Sequence, residues 1–159
     1  MKHFKLYENF SDPFFNYVEQ IASITSGKQK EFYEWQKKHA ELVKMEVPES
    51  VLPNCTPAWM KKHIKIKGCY ENATKVMNLD PEVKYVEGVF MMGGSIPINH
   101  AWNSYKGKHF DVTSTMWKKT EDSYYMLVEL DSKQVWKILE DTKMYGELLY
   151  YMLRKGMLR

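Results

Sequence analysis

Cys69, His100 and Asp111 are the residues of this 159-residue chain whose types and spacing could do chemistry together. Cys69 follows Gly68 in "GCYENATKV", where a helix is expected to begin. His100 heads the strand-like run "INHAWNSY", and Asp111 stands on the returning run "KHFDVTS". A cysteine nucleophile needs thiolate character near neutral pH. The free N–H groups of a helix N-terminus favour the anion, and a neighbouring imidazolium favours it further. The histidine then takes and returns a proton while a carboxylate holds its ring in one tautomer.

The hairpin carries a geometric condition. With Lys106-Gly107 as a two-residue turn, Tyr105 pairs with Lys108 and Trp102 with Asp111. Cross-strand partners project to one face, and His100 lies two residues from Trp102 on it. His100 and Asp111 are then diagonal neighbours. A three-residue turn would send Asp111 to the opposite face. The backbone N–H of Cys69 is the first expected donor to an oxyanion, with Asn54 and Gln36 as upstream side-chain candidates. Trp102 is expected as a groove wall or a core ring.

The elements that must position these residues read as helices, then strands, then helices. "SDPFFNYVEQIAS" offers Ser11 or Asp12 as cap and Pro13 in the first turn, with Phe14, Tyr17, Val18 and Ile21 at helical spacing. "KQKEFYEWQKKHAELVKM" places Phe32, Trp35, His39, Leu42 and Val43 on one helical face. Pro48, Pro53 and Pro57 break regular structure, so a loop is expected over residues 47–56. A short helix then restarts at "TPAWMKKH". "YENATKVMNL" continues the helix that Cys69 opens. "VKYVEGVFMM", the hairpin and "YYMLVEL" read as strands. Asp131 or Ser132 caps "KQVWKILEDT", and a last helix runs through "MYGELLYYMLRK" towards Gly156. The fold class is α+β with a mainly antiparallel sheet in one domain, residues 1–159. Residues 1–63 form a mostly helical part, 64–130 the nucleophile helix and sheet, and 131–159 the C-terminal helices.

"GCYENA", the strand "VKYVEGVF", "HAWN" and "GKHFDVTS", in that order, resemble the transglutaminase-like superfamily within the papain-like cysteine enzymes. The likeness covers about residues 68–114. It implies a papain-like core in which the nucleophile helix packs on the sheet, with Cys69 as nucleophile, His100 as general base and acid, and Asp111 as orienting carboxylate. The implied activity is acyl transfer on an amide or ester, by a protease, amidase, deamidase or transglutaminase-like transferase. The Asp-Cys-Ser nucleophile motif usual in NlpC/P60 peptidases is missing. Arylamine N-acetyltransferases share a Cys-aromatic-Glu run like "CYEN" and an Asp-Val like "FDVT", but they are far longer.

Composition narrows the remaining classes. Apolar content of 44% and charged content of 27% suit a globular chain with a core. The 11 Tyr, 7 Phe, 5 Trp and 11 Met are a heavy load of rings and thioethers, expected mostly in the core, with some rings lining a groove. A net charge of +3, dispersed along the chain, argues against nucleic acid. No window approaches the ~18 consecutive apolar residues of a membrane span. The first residues lack the pattern of a signal peptide, so a cytoplasmic location with reduced thiols at Cys55 and Cys69 is expected. The acyl-transfer chemistry needs no organic cofactor or metal, and its partner is a peptide, protein or small amide substrate. Two rival readings remain. A zinc site could draw on Cys55, His63, Cys69 and His100, or a metal on the His109-x-Asp111 pair. Alternatively, the same fold could be a non-catalytic module holding a peptide or protein in an aromatic groove.

Overall fold

The computed structural model describes residues 12–114 and 122–158. It is α+β, and its elements follow local chemistry closely. Helix α1 (Pro13–Ile24) is capped by Asp12, whose side chain accepts from the Phe14 and Phe15 N–H groups; Ser11 lies outside the described residues. Helix α2 (Gly27–His39) follows, and then strands β1 (Glu41–Val43) and β2 (Met45–Glu46). Helix α3 is a single turn (Pro48–Val51). In α4 (Pro57–His63), Thr56 accepts from the Trp59 N–H and Pro57 sits in the first turn. Helix α5 (Cys69–Val76) passes into a 3-10 turn (Met77–Leu79). Strands β3 (Lys84–Met92), β4 (Ile96–Tyr105), β5 (Lys108–Phe110) and β6 (Ser123–Leu130) come next. Helix α6 (Ser132–Thr142) opens with an Asp131–Gln134 capping box, and α7 (Leu148–Arg154) ends near Gly156, at φ +66°.

Among the described residues six strands form one curled sheet in the order β1-β6-β3-β4-β5-β2. Every neighbouring pair is antiparallel except β2 with β5. On one face, Tyr85 packs with Ala73 and Val76 of α5, Val135 and Ile138 of α6, and Leu148 and Met152 of α7. Val89 and Met91, at the same strand parity, pack with Phe14 and Val18 of α1. The opposite parity carries a smaller cluster of Val86, Trp102 and Tyr124. Among the described rings only Phe14, Tyr85, Trp102, Phe110, Tyr124 and Tyr125 are buried, and most of the others pack half-buried against these clusters, so fewer rings are core than the composition suggests.

Three local expectations change. The α2 helix stops at His39, so Leu42 and Val43 extend no helical face. Residues 41–43 instead pair with Met126, Tyr125 and Tyr124 of β6, because the bare edge of β6 satisfies backbone groups that local propensity alone would leave to a helix. Residues 47–56 are not all loop, since α3 buries Pro48 and Val51. The last helix begins only at Leu148, beyond Gly146. The sheet thus draws β1 and β2 from the stretch expected to be mostly helical. No helix among the described residues is long and apolar enough to cross a membrane.

Candidate active site

Cys69 occupies the first position of α5, where its backbone N–H has no acceptor within the helix. The turn before it is tight: Lys67 has φ +63° and the Gly68 N–H donates to the Lys65 carbonyl at 3.2 Å. A Cβ on Gly68 would stand 3.3 Å from Lys65 Cβ, so the glycine admits the close approach. Asn72, fully buried one turn later, closes the turn from inside. Its Oδ1 accepts from the Lys65 N–H at 2.9 Å, and its Nδ2 donates to the Lys65 carbonyl at 2.7 Å and to Thr113 Oγ1 at 3.0 Å.

The hairpin turn has two residues, Lys106 at φ +50° and Gly107 at φ +78°. Tyr105 pairs with Lys108 and Asn103 with Phe110, the register in which Asp111 comes to the His100 side. Strand β5 ends at Phe110, and from there the chain meets His100 directly. His100 Nε2 donates to Asp111 Oδ2 at 2.6 Å. Asp111 is saturated: Tyr124 Oη donates to Oδ2 at 2.9 Å, and the Thr113 and Ser114 N–H groups donate to Oδ1 at 2.8 and 3.3 Å. Rings of Phe90, Trp102 and Tyr124 stand 5.6, 6.2 and 6.0 Å from the imidazole and hold it from the sides.

The electrostatics follow from this packing. Burial of His100 works against a charged ring. The Asp111 carboxylate and its hydrogen bond outweigh that, and the Cys69 sulfur adds a further hydrogen bond and charge, so His100 is pushed up to about 10. Burial also opposes the Asp111 charge, but the imidazolium and the hydrogen bonds hold its carboxyl below the usual range. With Nε2 given to Asp111, Nδ1 is the ring nitrogen left for the sulfur. Cys69 itself is partly exposed.

A cavity of about 580 Å³ opens beside this group. Of the three residues, His100 lines it, with Glu87 and Gly88 of β3, Tyr70 next to Cys69 in the chain, Phe32 of α2 and Leu149 of α7. Comparison with family models, curated proteins and solved structures gave no match. The geometry therefore stands by itself.

The other candidates separate. Gln36 lines the cavity, only 4% exposed, and its Oε1 has no hydrogen-bond partner among the described residues. Asn54 does not join it: this residue is exposed in the turn before α4, outside the cavity lining, because Cys55 beside it turns into the core. Trp102 is no groove wall. It is 1% exposed, and its Nε1 donates to His109 Nδ1 at 3.1 Å, which commits His109 to a role behind the site and away from Asp111. The zinc quartet does not assemble either, since Cys55 is buried in the main core and the His63 ring stacks on Trp59. Among the described residues no three His, Cys, Asp or Glu side chains gather as a metal site.

Sequence reasoning missed Asn72, Thr113 and Tyr124. The first two stood inside the quoted motifs, but their pairing spans 41 residues. Tyr124 carried no signal until the register of β6 was known.

Proposed function

We propose that the chain is a cysteine-dependent acyl-transfer enzyme of transglutaminase-like, papain-like type. The observation that carries this reading is the buried His100–Asp111 pair at a cavity, with the Cys69 sulfur favouring the charged form of the same imidazole. In the reaction, Cys69 Sγ attacks the carbonyl carbon of an amide or ester, forming a C–S bond. The carbonyl oxygen takes the negative charge and is met by the Cys69 N–H. Gln36, whose buried carboxamide lines the same cavity, is the side-chain candidate for a second donor. Collapse of this intermediate breaks the C–N or C–O bond, and His100 gives its proton to the leaving amine or alcohol. Water or an amine then attacks the thioester, losing its proton to His100, and releases Cys69. The substrate is a peptide, a protein or a small amide.

Alkylation with iodoacetamide tests the pair. Cys69 is expected to react near neutral pH about ten-fold or more faster than a free cysteine, and His100→Ala to abolish the excess. Equal rates in both proteins would remove the catalytic reading. The aromatic lining of the cavity favours one second reading, a module that holds a peptide without covalent chemistry. Cys69→Ala separates them: a folded variant that keeps the full biological effect supports binding alone.

A further inference from the structure

Two parts of the candidate site come from distant stretches of chain and have to be held against His100 together. Cys69 lies within the short turn and helix start bounded by Lys65 and Asn72. The Asn72 side chain closes that loop by bonding both backbone groups of Lys65, at 2.9 and 2.7 Å. Asp111 lies in its own small turn, closed by the Thr113 and Ser114 N–H groups on its Oδ1. A direct side-chain bond joins the two loops, from Asn72 Nδ2 to Thr113 Oγ1 at 3.0 Å, and it is buried. Both Nδ2 hydrogens and Oδ1 are thereby used, so the amide cannot turn without losing bonds in both loops.

We propose that Asn72 and Thr113 are positioning residues, a buried clamp that sets the distance between the Cys69 sulfur and the His100–Asp111 pair. This rests on the acyl-transfer reading of the same site. Neither residue faces a reacting atom. Each acts through its neighbours: Asn72 through the turn that carries Cys69, and Thr113 through the backbone N–H that orients Asp111. A buried hydrogen-bonded link of this kind is stiff, and misplacing a reacting group by about 1 Å can cost on the order of 100-fold in rate.

Thr113→Val removes the linking hydroxyl at nearly constant shape and keeps the backbone N–H on Asp111; Thr113→Ser restores the hydroxyl. The measurement is the pH profile of Cys69 alkylation by iodoacetamide in the full chain, beside the thermal midpoint of each variant. In Thr113→Val, alkylation near neutral pH is expected to fall about ten-fold. The rate at strongly alkaline pH, where any accessible cysteine is a thiolate, is expected to hold. Thr113→Ser is expected to recover the neutral-pH rate. Asn72→Leu, which removes the link to Thr113 and both bonds to Lys65 at similar size, is expected to shift the profile the same way. A Thr113→Val profile that superimposes on an activated wild type, with only a lower thermal midpoint, would overturn the clamp and leave the acyl-transfer reading standing. A wild-type profile equal to that of His100→Ala would overturn that reading and the clamp with it.

Discussion

His100 and Asp111 form a buried pair whose protonation contributes to folding. His100 is raised from an ordinary 6.5 to about 10, so its contribution is complete below 6.5 and is lost as pH rises through 10. Asp111 is lowered from 3.8; its contribution is present above 3.8 and disappears as pH falls through its depressed value. The pair therefore stabilises the fold most between pH 3.8 and 6.5, and its contribution declines from there towards pH 10. Asp111→Asn is expected to lower the pH at which the His100 ring titrates, followed by NMR. It should also destabilise the protein by about 3 kcal/mol in urea unfolding, the usual cost of breaking a buried ion pair. An unmoved His100 titration would contradict the assignment of Asp111 as its partner.

The β4–β5 hairpin decides whether that pair can exist. Both turn residues adopt positive φ, Lys106 at +50° and Gly107 at +78°, the pattern of a type I′ turn, which suits the twist of the flanking strands. Lysine is strained there, while asparagine is better suited. Lys106→Asn is therefore expected to stabilise the protein by about 0.5 kcal/mol, and Gly107→Val to destabilise it by about 2 kcal/mol, measured by thermal unfolding. One residue inserted after Gly107 would turn Asp111 away from His100. Such a variant is expected to keep its sheet and lose rapid Cys69 alkylation. Helix α5 depends on a glycine for a different reason, the close approach of Gly68 to Lys65.

Across the whole molecule, Glu87 ties the sheet to the C-terminal helix. It is 3% exposed on β3, and its carboxylate accepts from Tyr85 Oη at 2.6 Å and from the Leu148 and Leu149 N–H groups at 2.7 and 2.9 Å. It thereby caps α7 from a distant strand, while the residue at the N-cap position, Glu147, makes no side-chain cap bond. Burial outweighs these bonds and pushes Glu87 up from 4.5 to about 7. The folded state thus holds a proton that the unfolded chain releases between these values, so stability falls as pH rises from 4.5 to 7. The integrated loss is on the order of 3 kcal/mol. Glu87→Gln is expected to flatten that slope in urea titrations at several pH values. It also sets an amide donor against a backbone N–H, so α7 should exchange its amide hydrogens faster. A slope unchanged in Glu87→Gln would assign it to another group. Because α7 walls the cavity, this anchor also bears on how the cavity keeps its shape.

What was legible in the sequence was local. Asp12, Thr56 and Asp131 marked their helix starts because capping is settled within four residues. The β-branched and aromatic content of "VKYVEGVFMM" marked a strand, and a two-residue turn at Lys106-Gly107 implied the approach of Asp111 to His100. Where the outcome depended on distant neighbours, the sequence was silent or misleading. Residues 41–43 became a strand because the edge of β6 lay beside them. Asn54 and Gln36 looked equivalent as amides until the core took Cys55 and the cavity took Gln36. Asn72, Thr113 and Tyr124 entered the site only through contacts across the fold. By itself the sequence determined the helix starts that carry a side-chain cap, the residue types able to do chemistry and, for a two-residue turn, the parity of the hairpin. Only the tertiary structure decided which polar groups were buried together, since that depends on pairing between segments tens of residues apart.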